Sequence, residues 1–148
     1  MKHFRFWALL IGPVLVLSAC KKSTVHPATI TYSMSFKING TLVKTDSQDA
    51  ILNDPDTVLN IDGHYNDTCH IDISVVHPGV GTFTGGTNNQ VQFLIADSKT
   101  SYGSNTGTVT ITSYSLQSVS GTFQFSCYSP DNKLINITDG QFTTIVYY

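Results

Sequence analysis

The side chains best equipped for chemistry in this 148-residue sequence fall in one short stretch, with one outlier downstream. Asp54, Asp56 and Asp62 are followed by His64, Cys69, His70 and His77, and a second cysteine stands far along the chain at Cys127. Three imidazoles invite a zinc reading, because zinc takes three or four ligands converging at about 2 Å, commonly from short spacings. The intervals here are six and seven residues and match no such pattern. His64 follows Gly63 and His77 precedes Pro78, which assigns both to loops, while His70 shares the polar face of a strand with Asp72. Alternating carboxylates on a loop suit calcium, which wants six to eight oxygens. The chain contains no Glu, so the bidentate residue that closes such a loop is missing. Turn and capping duty is the expected role of Asp54, Asp56 and Asp62. Neither a metal nor a cofactor is expected.

Catalytic constellations are equally thin. The sequence holds no GxSxG, no HExxH and no glycine-rich phosphate loop running from a strand into a helix. Acid–base glycoside hydrolysis would have to run on aspartates alone. No catalytic residue is assigned, and a hydrolase built on an unrecognised Asp pair is kept as an alternative. Cys69 alternates with Ile71, Ile73 and Val75, and Cys127 with Phe123 and Phe125, so both thiols are expected to face a core. A disulfide between them would be worth about 4 kcal/mol in the chain-entropy model. Two thiols packed as small hydrophobes are the other outcome, and the sequence leaves the choice open.

Binding is better provided for. Tyr102, Tyr114, Tyr128, Tyr147 and Tyr148 offer ring faces on which sugars stack, although tyrosine is also a favoured cross-strand residue. The segment Gly85–Gln90 is a candidate recognition loop, and Gly81, Gly85 and Gly86 read as turn glycines around Phe83.

The most specific chemical signal lies at the amino terminus. Lys2, His3 and Arg5 precede an apolar run from Phe6 to Leu17, interrupted by Gly12-Pro13. A spanning helix needs about 20 apolar residues, so this run reads as a cleaved export signal. It ends in Leu17-Ser18-Ala19-Cys20, which resembles the lipobox of bacterial lipoproteins, where the cysteine is acylated and becomes the first mature residue. Each buried acyl CH₂ contributes about 0.8 kcal/mol, and several chains together hold a protein firmly on a membrane. Lys21-Lys22-Ser23 follow, with no Asp after the cysteine and no acidic pair. By resemblance to known sorting rules, this favours the outer membrane over the inner one and leans toward a periplasm-facing position.

The elements that must position these groups are strands. Residues 1–19 are expected to be removed, residues 20–29 to form a lipidated tether, and residues 30–148 to form one domain, large enough for a single core. The mature chain carries six lysines, ten aspartates and no arginine, a net charge of −4. Without arginine forks or a basic stripe, nucleic acid is excluded as a partner. Thr, Ser, Val, Ile, Tyr and Phe dominate, and apolar residues recur with a period of two. Met34, Phe36 and Ile38 alternate in Ser33–Ile38; Asn39-Gly40 then marks a hairpin, with Thr41–Lys44 as the return strand. Further strands are expected at Val58–Ile61, around Cys69–Val75, and at Val91–Ala96, Thr108–Tyr114, Thr122–Tyr128, Leu134–Thr138 and Phe142–Tyr148. Asp62-Gly63 and Asp139-Gly140 are read as turns between them. About nine short strands with these punctuators predict an all-β fold, an antiparallel β-sandwich or flattened barrel. They are too short and too rich in Thr and Ser on both faces for a membrane barrel.

Gly107–Thr112, Val119–Phe125, Ile135–Phe142 and Phe36–Gly40 together resemble the small Bacteroidota lipoproteins grouped as a domain of unknown function, the DUF6252-like family. The resemblance spans most of the mature body through turn-and-strand motifs. It implies a β-rich envelope lipoprotein and supplies no catalytic residue. The expected function is therefore that of a non-catalytic β-domain held at the outer membrane by Cys20, with a binding or structural role. Its partners are the membrane, through the lipid, and a glycan or protein. A carbohydrate-binding accessory to glycan uptake is the alternative class.

Overall fold

Alternation decides which side of every strand is buried, and the computed structural model shows the consequence in eleven strands. It describes residues 33–53, 57–66, 69–86, 90–97, 100–104, 106–115 and 117–147, with residues 145–147 described by backbone alone. The expected signal, Cys20, the tether, Asp54, Asp56, Tyr148 and the centre of the Gly85–Gln90 loop lie outside the described residues.

The strands are β1 (Ser33–Ile38), β2 (Thr41–Lys44), β3 (Ser47–Asn53), β4 (Val58–Tyr65), β5 (Cys69–Val76), β6 (Gly81–Thr84), β7 (Val91–Ala96), β8 (Ser101–Ser104), β9 (Gly107–Tyr114), β10 (Ser118–Tyr128) and β11 (Leu134–Tyr147). Sheet A runs β2-β1-β11-β10-β9-β6, and sheet B runs β3-β4-β5-β7-β8. Pairing within each sheet is antiparallel. A two-residue parallel bridge, Val146 to Ala50 and Tyr147 to Ile51, joins them at one margin. The short strands β6 and β8 end the path and leave it open, so the fold is a sandwich rather than a closed barrel. Among the described residues there is no helix, and none long and apolar enough to cross a membrane.

The core fills the space between the sheets. Sheet A contributes Met34, Phe36, Ile111, Phe123, Phe125 and Ile137; sheet B contributes Leu59, Ile61, Ile71, Ile73, Val75 and Phe93. Aromatic rings interlock across the gap: Phe36 meets Tyr65 edge-on at 5.8 Å, and Phe93 stacks on Phe125 at 4.5 Å. Burying one such side chain stabilises the fold by about 1.5–3 kcal/mol.

The Asn39-Gly40 hairpin forms as expected, with both residues at positive φ between the paired Ile38 and Thr41. The two expected Asp-Gly turns do not. Asp62-Gly63 lies inside β4, where Gly63 is buried because a Cβ there would strike Met34 Sδ and come within 2.9 Å of Thr45 Cγ2. Asp139-Gly140 lies inside β11 as a bulge. One extra residue of β11 is accommodated there against both β1 and β10, with Asp139 at φ 52°. The inward set consequently switches from Ile135 and Ile137 to Gly140, Phe142 and Thr144. A bulge that reverses parity reads, in sequence, as two strands and a turn. β3, β6 and β8 were not expected: β3 opens with Ser-Gln-Asp, and four residues are too few to display a period of two. Phe83, expected in a loop, thus belongs to a strand.

Candidate functional site

With the inward positions occupied by the core, the outward positions form the two faces on which function must be built. On sheet A these are almost wholly hydroxyls and amides. The outward set is Ser120, Thr122, Gln124 and Ser126 on β10, beside Thr108 and Thr110 on β9. Beyond β10, the bulged β11 offers Asn136, Thr138 and Gln141. Hydroxyls and amides bond one another laterally: Thr82 Oγ1 lies 3.0 Å from Thr110 Oγ1, and Ser126 Oγ donates to Asn136 Oδ1 at 2.9 Å. Lys37 Nζ and Asp139 Oδ2, 2.8 Å apart, cancel each other's charge at the rim.

The bulge residues Asp139 and Gly140 border a depression in this surface. A depression of about 480 Å³ is bounded by Thr110, Thr122, Gln124, Asp139 and Gln141, with Gly140 at its floor. It shares Thr122 and Gln141 with a second depression of about 240 Å³ toward Ser120, and Gln124 with a third of about 270 Å³ toward Ser126. Beneath the groove, inside the core, glycines make room for two rings: Phe123 lies across Gly140, and Phe142 across Gly121. A Cβ on Gly140 would sit 2.6 Å from the Phe123 ring.

Of Tyr102, Tyr114 and Tyr128, only Tyr128 belongs to this face. It is exposed at the end of β10 opposite Leu134, two residues beyond the Ser126–Asn136 pair. Tyr114 sits opposite Val119 at the other end of β10, on the order of 30 Å away at strand rise, and packs against the core. Tyr102 also packs on the core, from β8 in sheet B. The three do not form one platform, because alternation and strand ends separate them.

Sheet B presents a different surface. Asp49, Asp62 and Asp72 lie directly opposite one another across β3, β4 and β5. His64 and His70, both on strands rather than one in a loop, are opposite each other in the neighbouring row, with ring centroids 5.8 Å apart. His64 Nε2 is 3.5 Å from Asp62 Oδ2. Burial, then the Asp62 carboxylate, push the Asp72 carboxyl above its usual range, against the pull of His70 and a Ser74 hydrogen bond. A groove of about 400 Å³ reaches Asp72, Ser74 and Gln92 but not Asp62. His77 is exposed at the end of β5, its N–H donating to the Thr57 carbonyl at 2.6 Å. Among the described residues no three His, Cys, Asp or Glu side chains are arranged to hold a metal ion.

No disulfide joins Cys69 to Cys127. Cys127 is buried opposite Ile135 in sheet A, where burial raises its thiol pKa, and Cys69 is half-buried opposite Tyr65 in sheet B. The alternation that turned both inward assigned them to facing sheets without bringing them to one point.

The neutral groove and the aspartate row are the two features that sequence reasoning missed. Both were visible as outward residues of alternating strands, but only once the strand limits and the β11 bulge are known. The family model described as Domain of unknown function (DUF6252) matches residues 31–146. No curated protein matches the chain, and no solved structure does.

Proposed function

The chain belongs to the DUF6252 family, and from that premise we propose that it is a Bacteroidota outer-membrane lipoprotein whose β-sandwich binds an uncharged, polyhydroxylated ligand without turning it over. The observation that carries this reading is the groove on sheet A. Its three adjoining depressions follow β10 from Ser120 to Ser126, about 20 Å at strand rise, and their polar lining is hydroxyls and amides apart from Asp139, whose charge Lys37 offsets. Hydroxyl and primary amide groups each donate and accept, as the hydroxyls of a sugar do. An anionic or cationic ligand would find no counter-charge there beyond the self-neutralised Lys37–Asp139 pair. Tyr128, standing past the end of the groove, supplies a ring face for the apolar side of a sugar.

The anchor rests on Leu17-Ser18-Ala19-Cys20, and the polar residues after it hold the domain near the lipid. Lys21-Lys22 favour the outer membrane and a periplasm-facing position. Among the described residues, the row Asp49, Asp62 and Asp72 is the arrangement that speaks for a hydrolase, with Asp62 facing Asp72. It ranks second, because the groove on that face takes in only one of the two carboxylates.

A panel of neutral and acidic oligosaccharides tests the reading. Neutral chains should bind the purified protein intact, and Gln124→Ala and Tyr128→Ala should each weaken binding by roughly 5- to 50-fold, as loss of one polar or stacking contact does. Cleavage of a neutral chain that stops in Asp72→Asn would replace binding with hydrolysis.

A further inference from the structure

On the outer face of sheet B two like pairs stand side by side. Asp62 of β4 is directly opposite Asp72 of β5, and two residues along, His64 is directly opposite His70. Directly opposed residues hold their Cβ atoms about 5 Å apart. Across the strands like faces like; along each strand a carboxylate neighbours an imidazole, closest where His64 Nε2 lies 3.5 Å from Asp62 Oδ2.

Every neighbouring strand leaves the carboxylates uncompensated. β3 adds a third, Asp49, opposite Asp62. β7 sets uncharged Gln92, Leu94 and Ala96 opposite Ser74, Asp72 and His70, and β8 brings Gly103 beside Leu94. Lys37 is engaged by Asp139 and Lys133 by Asp131, while Lys44 ends β2 in the other sheet. The Oδ1 atoms of Asp62 and Asp72 are buried and accept no hydrogen bond. Two adjacent carboxylates in that condition resist ionising together, since each charge disfavours the other and neither oxygen is solvated.

We propose that Asp62, Asp72, His64 and His70 form a proton-responsive quartet. Ionisation of both facing carboxyls loosens the β4–β5 pairing, and a proton held on either one tightens it. A proton bound by either carboxyl supplies an O–H that can be donated to the facing carboxylate, and it removes the repulsion along the row. Asp72 fixes the sign. Its carboxyl pKa is raised in the folded chain, so its contribution to stability is complete below the usual aspartate range and is lost as pH rises through the raised value. Carboxylates with lowered pKa values make proteins unfold in acid; Asp72 works in the opposite direction.

Thermal unfolding of the full chain in detergent at pH 8 and at about pH 3.5, below the usual aspartate range, tests the quartet. Asp72→Asn should raise the midpoint at pH 8 by a few degrees and remove most of the difference between the two pH values that favours acid. Asp62→Asn should do the same, and the double variant should add nothing to either single one. If either variant fails to fold, NMR titration of the carboxyl carbons gives a separate readout, in which removal of the partner carboxylate lowers the titration midpoint of the one that remains. A pH dependence left intact by both substitutions, or a carboxyl titration indifferent to its partner, overturns the proposal.

Discussion

Phe93 of sheet B stacks on Phe125 of sheet A with ring centroids 4.5 Å apart and planes 14° from parallel. The contact spans the sandwich at the point where β7 and β10 cross. It also lies beneath the neutral groove, since Phe125 separates Gln124 from Ser126 on the strand that lines it. Packing inside and chemistry outside are therefore two readings of one alternating strand.

Phe125→Ala should cost about 3–5 kcal/mol, the range for deleting a buried aromatic. Urea denaturation of the variant and of Phe93→Ala will measure it, and the double variant should cost less than the two losses added, because the rings share one contact.

Gly140→Ala should destabilise by about 1–3 kcal/mol, since the new methyl would crowd both the Phe123 ring and the Phe123 carbonyl oxygen in a packed core. Adding Phe123→Leu should recover part of that loss by opening the space over the glycine. Equal unfolding midpoints for Gly140→Ala and the parent chain would contradict the ring-over-glycine account.

Burial, then the neighbouring Cys69 thiol and Asp97 carboxylate, push the Tyr65 hydroxyl up to about 12 from the usual 10. The unfolded chain ionises this tyrosine first, so its contribution to stability is complete below pH 10 and is lost as pH climbs toward 12. Tyr65→Phe should flatten the decline in unfolding midpoint over that interval and leave it unchanged at pH 7–9.

Cys20→Ala should release the chain from the membrane fraction, because the acyl chains supply its affinity for lipid. Fractionation of cells expressing the parent and the variant decides the point; a variant that stays with the membranes would mean that something other than Cys20 holds it.

How much of this was legible in the sequence can be judged residue by residue. Alternation of Met34, Phe36, Ile71, Ile73, Phe123 and Phe125 gave the all-β class and most of the core, because sidedness is a strictly local property of a strand. Asn39-Gly40 gave its hairpin for the same reason. Asp139-Gly140 misled, because a bulge and a turn use the same residue types and differ only in whether the neighbouring strands continue past them. Asp62 was read as a turn residue, yet it faces Asp49 and Asp72 across strands whose registers no single segment encodes. The groove was hidden in the same way: Thr110, Thr122 and Gln141 look like ordinary strand residues until β9, β10 and β11 lie side by side.

The most direct test is NMR mapping of a neutral oligosaccharide onto the full chain in detergent. Binding at the proposed face predicts amide shifts concentrated at Thr110, Thr122, Gln124 and Gln141, extending toward Tyr128, with sheet B unchanged. Shifts centred on Asp72, Ser74 and Gln92, or none at any glycan concentration reached, would contradict it.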